Sequence, residues 1–288
     1  MHSLIPCAAV VATLTYGAAL GAQIVTSAAD SARPPAPAAA NATNNRVPWV
    51  TQRDGEAVTG GLLATLAIAP FDRRISHALA GRPHRARSLH RTANDVAFFG
   101  GSGPFVLSGL VYAAGTEGRF QSVATGALHN MEAIALASTI TGVAKGFTGR
   151  ALPGVQSRHA FSFGRGFHDG NGPFVSFPSG HTAAAFAMAA TLGPELARAN
   201  ARFGDVVEPI AFTGAAAVGV ARVIQHVHWP SDLPMAVVIG TWSGRAVQAH
   251  AYRRGRVAAA VRGMTIAPES HGRTAIGWSS LLSDLPSR

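Results

Sequence analysis

The sequence predicts an all-α fold, a bundle of about six core helices, on three observations. From about Gly55 onward, Ala-rich stretches of helical length alternate with Gly and Pro breaks. Those stretches lack the apolar/polar alternation of half-buried strands. Gly, Ser and Thr are interspersed with the Ala, a composition that lets helices approach closely. At 288 residues, 48% hydrophobic and 13% charged, the chain is long enough to bury its own core and is not disordered in composition.

In chain order, residues 1–22 come first. Leu4 to Ala22 is almost wholly apolar or small, and Ala22 and Ala29 offer cleavage sites, so this segment reads as a signal peptide or an N-terminal anchor. The only cysteine, Cys7, lies inside it, which excludes an intramolecular disulfide and a Cys-based zinc site. Residues 23–54 are rich in Ala, Pro and Asn and read as a linker. The helical domain follows over 55–260, with candidate helices Ala57–Ala69, Asp95–Ala114, Gln121–Lys145, His181–Ala201, Pro209–Gln225 and Leu233–Tyr252. Pro104–Ala114, Ile210–Val220 and Leu233–Ser243 are apolar but short of an 18-residue span, so a soluble bundle and a membrane bundle both fit. The tail, 261–288, reads as a short strand pair or an extended arm.

The net charge is +10, from 24 Lys+Arg against 14 Asp+Glu, and Lys145 is the single lysine. That balance calls for an anionic partner: nucleic acid, an anionic membrane surface or a phosphorylated substrate. Arg253-Arg254-Gly255-Arg256 lacks interleaved aromatics, which suits a membrane surface or a helix end better than nucleic acid. Gly100-Gly101-Ser102-Gly103 lacks the strand that a nucleotide loop needs.

Three segments carry chemistry. The first is Lys145-Gly-Phe-Thr-Gly-Arg150-Ala-Leu152-Pro153. The second is Ser176-Phe177-Pro178-Ser179-Gly180-His181-Thr182, ahead of a long apolar run. Pro178 suits the first turn of a helix, and the amides of Ser179, Gly180 and His181 would then face an anion at the positive end of the dipole. His181 sits at the rim, where it can exchange a proton. The third runs from Arg222 through His226, His228, Trp229 and Pro230 to Ser231-Asp232. His228 and Asp232 are four apart, so a carboxylate can fix the imidazole tautomer and leave the other nitrogen free to act. His226 would point elsewhere, and His168-Asp169 falls in a Gly-rich loop.

Taken together and in this order, the segments resemble the three motifs of the type-2 phosphatidic acid phosphatase and vanadium haloperoxidase superfamily: Lys-x6-Arg-Pro, Pro-Ser-Gly-His and Ser-Arg-x5-His-x3-Asp. Pro178–His181 matches in full. Arg222, His228 and Asp232 match, with Ala221 at the usual Ser. Lys145 and Pro153 are in register, but Leu152 stands where the family has Arg.

The resemblance implies a metal-independent phosphatase acting on a phosphate monoester or diphosphate, lipid-linked in the family's manner. His228 is the nucleophile, Asp232 orients it, and His181 protonates the leaving oxygen. Lys145, Arg150, Ser179, Gly180 and Arg222 bind phosphate, with no cofactor and no metal. Arg150, Arg158 and Arg165 are near enough in sequence to replace the guanidinium missing at Leu152. The implied location is outside the cytoplasm, periplasmic or membrane-associated, with a phosphorylated lipid or small phosphoester as partner and no nucleic acid. The alternatives are a vanadate-dependent haloperoxidase, whose cofactor would be vanadate, and a catalytically impaired envelope protein that keeps the fold.

Overall fold

The computed structural model describes residues 49–80, 83–118, 120–155, 160–164, 172–262, 264–269 and 273–278. The expected signal segment, most of the linker, Cys7, Arg158, Arg165 and His168-Asp169 lie outside the described residues. Through Ala246 the chain forms one compact unit, and Val247 onward forms a second.

The fold is an all-α bundle. Helix α1 (Gln52–Ile68) begins ahead of the expected Ala57, because Thr51 and Asp54 form a reciprocal capping box. A 3₁₀ turn at Ala69–Phe71 leads into α2 (Asp72–Ala80), followed by α3 (Pro83–Ala97). Neither α2 nor α3 was expected as a separate helix. The expected Asp95–Ala114 helix is broken by a 3₁₀ turn at Phe98–Gly100, and α4 runs Gly103–Glu117. Close packing explains the break: a Cβ on Gly100 would lie 2.5 Å from the His181 carbonyl oxygen and 2.6 Å from Val218.

Helix α5 (Gln121–Thr148) carries the first segment at its C-terminal end, where Gly149 takes the left-handed conformation at φ 53°. Helix α6 (Gly180–Ala199) starts on the second segment. Helix α7 (Ala201–Ile224) ends on the third and is longer than expected, with Pro209 inside it rather than at its start. A 3₁₀ turn at Pro230–Asp232 opens α8 (Leu233–Arg262). Two strands, β1 (Met264–Glu269) and β2 (Arg273–Trp278), pair antiparallel from Met264↔Trp278 to Glu269↔Arg273, so the tail is the strand pair and not the extended arm.

Helix α6 is the hub. Its inner face buries Ala185, Phe186, Ala189 and Ala190 against Phe212, Ala215 and Val218 of α7. Phe186 and Phe212 meet edge to face at 5.7 Å. On the other side, a Cβ on Gly240 would lie 2.2 Å from the Ala183 carbonyl oxygen, and one on Gly244 2.6 Å from the Ala190 Cβ. This Gly-x3-Gly pair lets α8 press onto α6 backbone to backbone. The tight contact holds the start of α6 against the turn that precedes α8, which brings the second and third segments together. The outer faces are strongly apolar: Leu62, Leu63 and Leu66 on α1, Val106, Leu107 and Leu110 on α4, and Phe203, Val206 and Ile210 on α7 are all exposed. Among the described residues, one unbroken helix, α7, is long and apolar enough to cross a membrane.

Candidate active site

The start of α6 differs from its expected form in one respect. Pro178 lies outside the helix, after a cis Phe177–Pro178 bond, and Ser179 is the N-cap. The Ser179 hydroxyl accepts from the Thr182 amide, and the Ser179 N–H donates to the Asp232 carbonyl at 3.3 Å. Ser179 is fully buried, and both its polar groups are engaged. It therefore shapes the helix start instead of binding phosphate, which corrects the expectation. The amides of Gly180 and His181 occupy the first turn, where no intrahelical acceptor exists. Lys145 faces this turn: a Cβ on Gly180 would lie 4.0 Å from its Nζ. One Lys145 donor bonds the Val175 carbonyl at 2.8 Å, leaving two for a ligand.

His228 is buried, and its Nδ1 lies 2.7 Å from the Ser176 carbonyl oxygen. A carbonyl only accepts, so Nδ1 carries the proton and Nε2 holds the lone pair. The Asp232 carboxylate is 3.5 Å from Nδ1. The expected His–Asp pair is therefore present, but the tautomer is fixed first by the Ser176 carbonyl. Asp232 is itself held by the Ser176 hydroxyl at 2.5 Å, the Trp229 amide at 2.8 Å and the Arg150 guanidinium at 2.5 Å. Burial alone would raise the Asp232 pKa. The bond with His228, the Arg150 charge and the Ser176 hydroxyl outweigh it and hold the carboxyl below its ordinary value, so it is ionised.

Arg150 departs furthest from expectation. It is 2% exposed. Its Nε and one terminal nitrogen bond the Ala160 carbonyl; that nitrogen also bonds Asp72 at 2.6 Å, and the other bonds Ser231 and Asp232. These five bonds match the five N–H donors of a guanidinium, leaving none for a phosphate. Phe163 and Trp229 rings flank it at 5.5 and 5.8 Å. Arg150 is thus a buried strut behind Asp232, not part of a phosphate clamp. Leu152, half-buried, offers only its backbone there, with its amide on the Pro173 carbonyl.

In front of His228 the environment is cationic. His181 feels Arg222, His228 and Lys145, and burial together with those charges pushes its pKa down to about 4. His228 is likewise lowered, by burial first and then by Lys145 and Arg222, against an opposing pull from Asp232. Both imidazoles are therefore neutral at pH 7. Arg222 bonds the Gln225 side chain at 2.8 Å, and Gln225 is held in turn by Asn94. The Arg222 Nε is buried with no partner.

Asp72 was missed in the sequence. It is the first residue of α2, fully buried, and it accepts from Arg150 and from both the amide and hydroxyl of Ser231. An acid in a helix's first turn is an ordinary dipole signal, and nothing local points to partners 78 and 159 residues away. Ser176 was within the second segment without a role, which its carbonyl supplies. His226 is half-buried at φ 57°, with its carbonyl accepting from Gly154.

The family model described as PAP2 superfamily matches residues 126–256. That stretch of the chain, which holds the second and third segments, is thus similar to the PAP2 superfamily. Lys145, Gly180, His181, Arg222, His228 and Asp232 all lie within the match, whereas Asp72 lies outside it. The chain shares its fold with a transmembrane PAP2 type phosphatidylglycerolphosphate phosphatase from Bacillus subtilis, at 20% identity and a TM-score of 0.54, over 70% of this chain and 98% of that one. LpxE from Aquifex aeolicus aligns at 20% identity and a TM-score of 0.45, over 62% of this chain and 95% of that one. No curated protein matches the chain.

Proposed function

We propose that this protein is a phosphatase that hydrolyses a lipid-linked phosphate monoester or diphosphate through a phosphohistidine on His228. The observation that carries this reading is the buried, unpartnered Arg222 Nε beside Lys145, His181 and the free face of His228. A buried donor without a partner is costly, and a cationic cluster with spare donors suits an oxyanion. Asp232, the carboxylate beside His228 among the described residues, has its oxygens engaged, so the donor set suits a phosphate better than a divalent cation.

The chemistry follows from the tautomer. The Nε2 lone pair of His228 attacks phosphorus, and the bond from phosphorus to the ester oxygen breaks. A protonated His181 gives its proton to that oxygen. The His228 ring becomes cationic while Nδ1 keeps its proton on the Ser176 carbonyl, and Asp232 stabilises the charge. Water then attacks phosphorus with His181 accepting its proton, and the N–P bond electrons return to Nε2. Lys145, Arg222 and the Gly180 and His181 amides hold the equatorial oxygens.

His181 is neutral in the ligand-free site, so it needs the substrate to charge it. A bound phosphate dianion offsets the three neighbouring positive or ionisable groups and raises the His181 pKa toward use. Exposed apolar faces on α1, α4 and α7, and the length of α7, support membrane association and a lipid substrate. The phosphatase named for the Bacillus subtilis neighbour fits that substrate class.

The test uses purified full-length protein with p-nitrophenyl phosphate and phosphatidate, with and without EDTA. The expected result is EDTA-insensitive release of inorganic phosphate, lost by about 10³-fold or more in His228→Ala. Equal rates in wild type and His228→Ala would remove the proposal.

A further inference from the structure

We infer that Asp72 is a positioning residue of the reaction: by neutralising Arg150, it leaves the charge of Asp232 available to the His228 imidazolium. The inference rests on the phosphatase reading for its kinetic consequence but has a readout of its own. Three charges stand in line behind His228. Asp232 lies 3.5 Å from its Nδ1. Arg150 lies 2.5 Å from Asp232 on the far side, and Asp72 lies 2.6 Å from Arg150 beyond that. All three are at most 2% exposed, so water does little to screen them.

The signs matter. Arg150 and Asp232 alone would be a neutral pair, and Asp232 would offer His228 little net field. Adding Asp72 makes the group net negative. The step that needs this charge is the attack, when the ring acquires a positive charge. Asp72 also bonds the amide and hydroxyl of Ser231, the neighbour of Asp232, so it fixes the turn that carries the carboxylate. It touches none of the groups that face the phosphate. The charged or titratable groups acting on His228 are Asp232, Lys145, Arg222 and His181, from four different elements, and only Asp232 is tied to Asp72 through Arg150.

The experiment is a charge-balance cycle on the full chain. Asp72→Asn leaves Arg150 to cancel Asp232. Asp72→Asn/Arg150→Gln removes both members of the outer pair and restores the net negative charge. The expected result for the single variant is kcat down by about tenfold or more, with KM within about twofold, and the acidic limb of the pH profile moved down by about one unit. The double variant should recover both kcat and the limb toward wild type. A purely structural role predicts the opposite order, since the double variant loses more bonds.

The His228 imidazole pKa, measured by NMR on histidine-labelled protein, should fall in the single variant and return in the double. This measurement needs no turnover. If wild type hydrolyses no phosphoester yet the pKa pattern appears, the phosphatase reading fails and the charge balance stands. A double variant no better than the single, in kcat and in His228 pKa, would overturn the inference. Should Asp72→Asn not fold, Asp72→Ser provides the check: it makes the same charge change with a smaller side chain beside Ser231, and the His228 pKa should fall below that of wild type. A pKa that does not fall would equally overturn the inference.

Discussion

Arg150 and Arg222 are the same side chain on opposite sides of His228, and they are held in opposite ways. Behind the imidazole, all five Arg150 donors are bound to Asp72, Asp232, Ser231 and Ala160. In front, Arg222 makes one side-chain bond, to Gln225, and keeps a buried Nε unpartnered. The difference separates structure from chemistry. A guanidinium with all donors engaged holds the scaffold, and one left unsatisfied is poised for something the protein itself does not supply. Motif position alone could not draw this distinction, because Arg150 sits in the first segment and both arginines were expected on phosphate.

The largest expected effect breaks the comparison on the stability side. Arg150→Met strands two buried carboxylates and should cost about 3–5 kcal/mol of unfolding free energy. Arg222→Met should leave the melting temperature within a few degrees of wild type. Chemical denaturation followed by helical circular dichroism checks both, and equal losses would show that the two arginines share one role. Next in size is the effect on rate. Arg222→Met should lower kcat/KM by about 10²-fold, the scale of one lost charge-assisted donor to a transition state.

A pH profile sharpens the contrast further. His181 must be protonated to donate, and in the free site its pKa is about 4. The protonated fraction of free enzyme therefore falls as pH rises above that value, which sets the basic limb of kcat/KM. Bound phosphate dianion raises the His181 pKa, so the basic limb of kcat should lie at higher pH than that of kcat/KM. Arg222→Met removes one of the cations lowering His181 and should move the kcat/KM limb upward, whereas Arg150 is not among the charges acting on that ring. Coincident limbs for kcat and kcat/KM would contradict the role given to His181. The smallest effect is Leu152→Arg. With Arg150 committed behind Asp232, a guanidinium at the empty motif position should raise kcat/KM by up to about tenfold. No gain would assign that role to Arg158 or Arg165.

Much of the site was legible in the sequence because its parts are local. Pro-Ser-Gly-His at a helix start, and a His and an Asp four residues apart, describe short-range geometry that the backbone enforces. Helices α5, α6 and α8 were legible for the same reason, since they are long, Ala-rich and bounded by Gly or Pro. Two features resisted. The break between α3 and α4 depends on Gly100 meeting the His181 carbonyl, a contact across the bundle. Pro209 reads locally as a helix start, but the Asn200 cap had already begun α7, with its side chain accepting from the Phe203 amide.

By itself, the sequence determined the helical bundle and marked His228 and His181 as candidate site residues, since these rest on composition and on spacings within one turn of chain. Tertiary structure alone decided which donors are free. It turned Ser179 into a cap, Arg150 into a strut and Ser176 into the group that sets the His228 tautomer, and it brought in Asp72 from outside every motif. The physical reason is that hydrogen-bond capacity is finite. Whether a guanidinium or an amide can bind a ligand depends on acceptors that arrive from as far as 159 residues away, and only the packed bundle counts them.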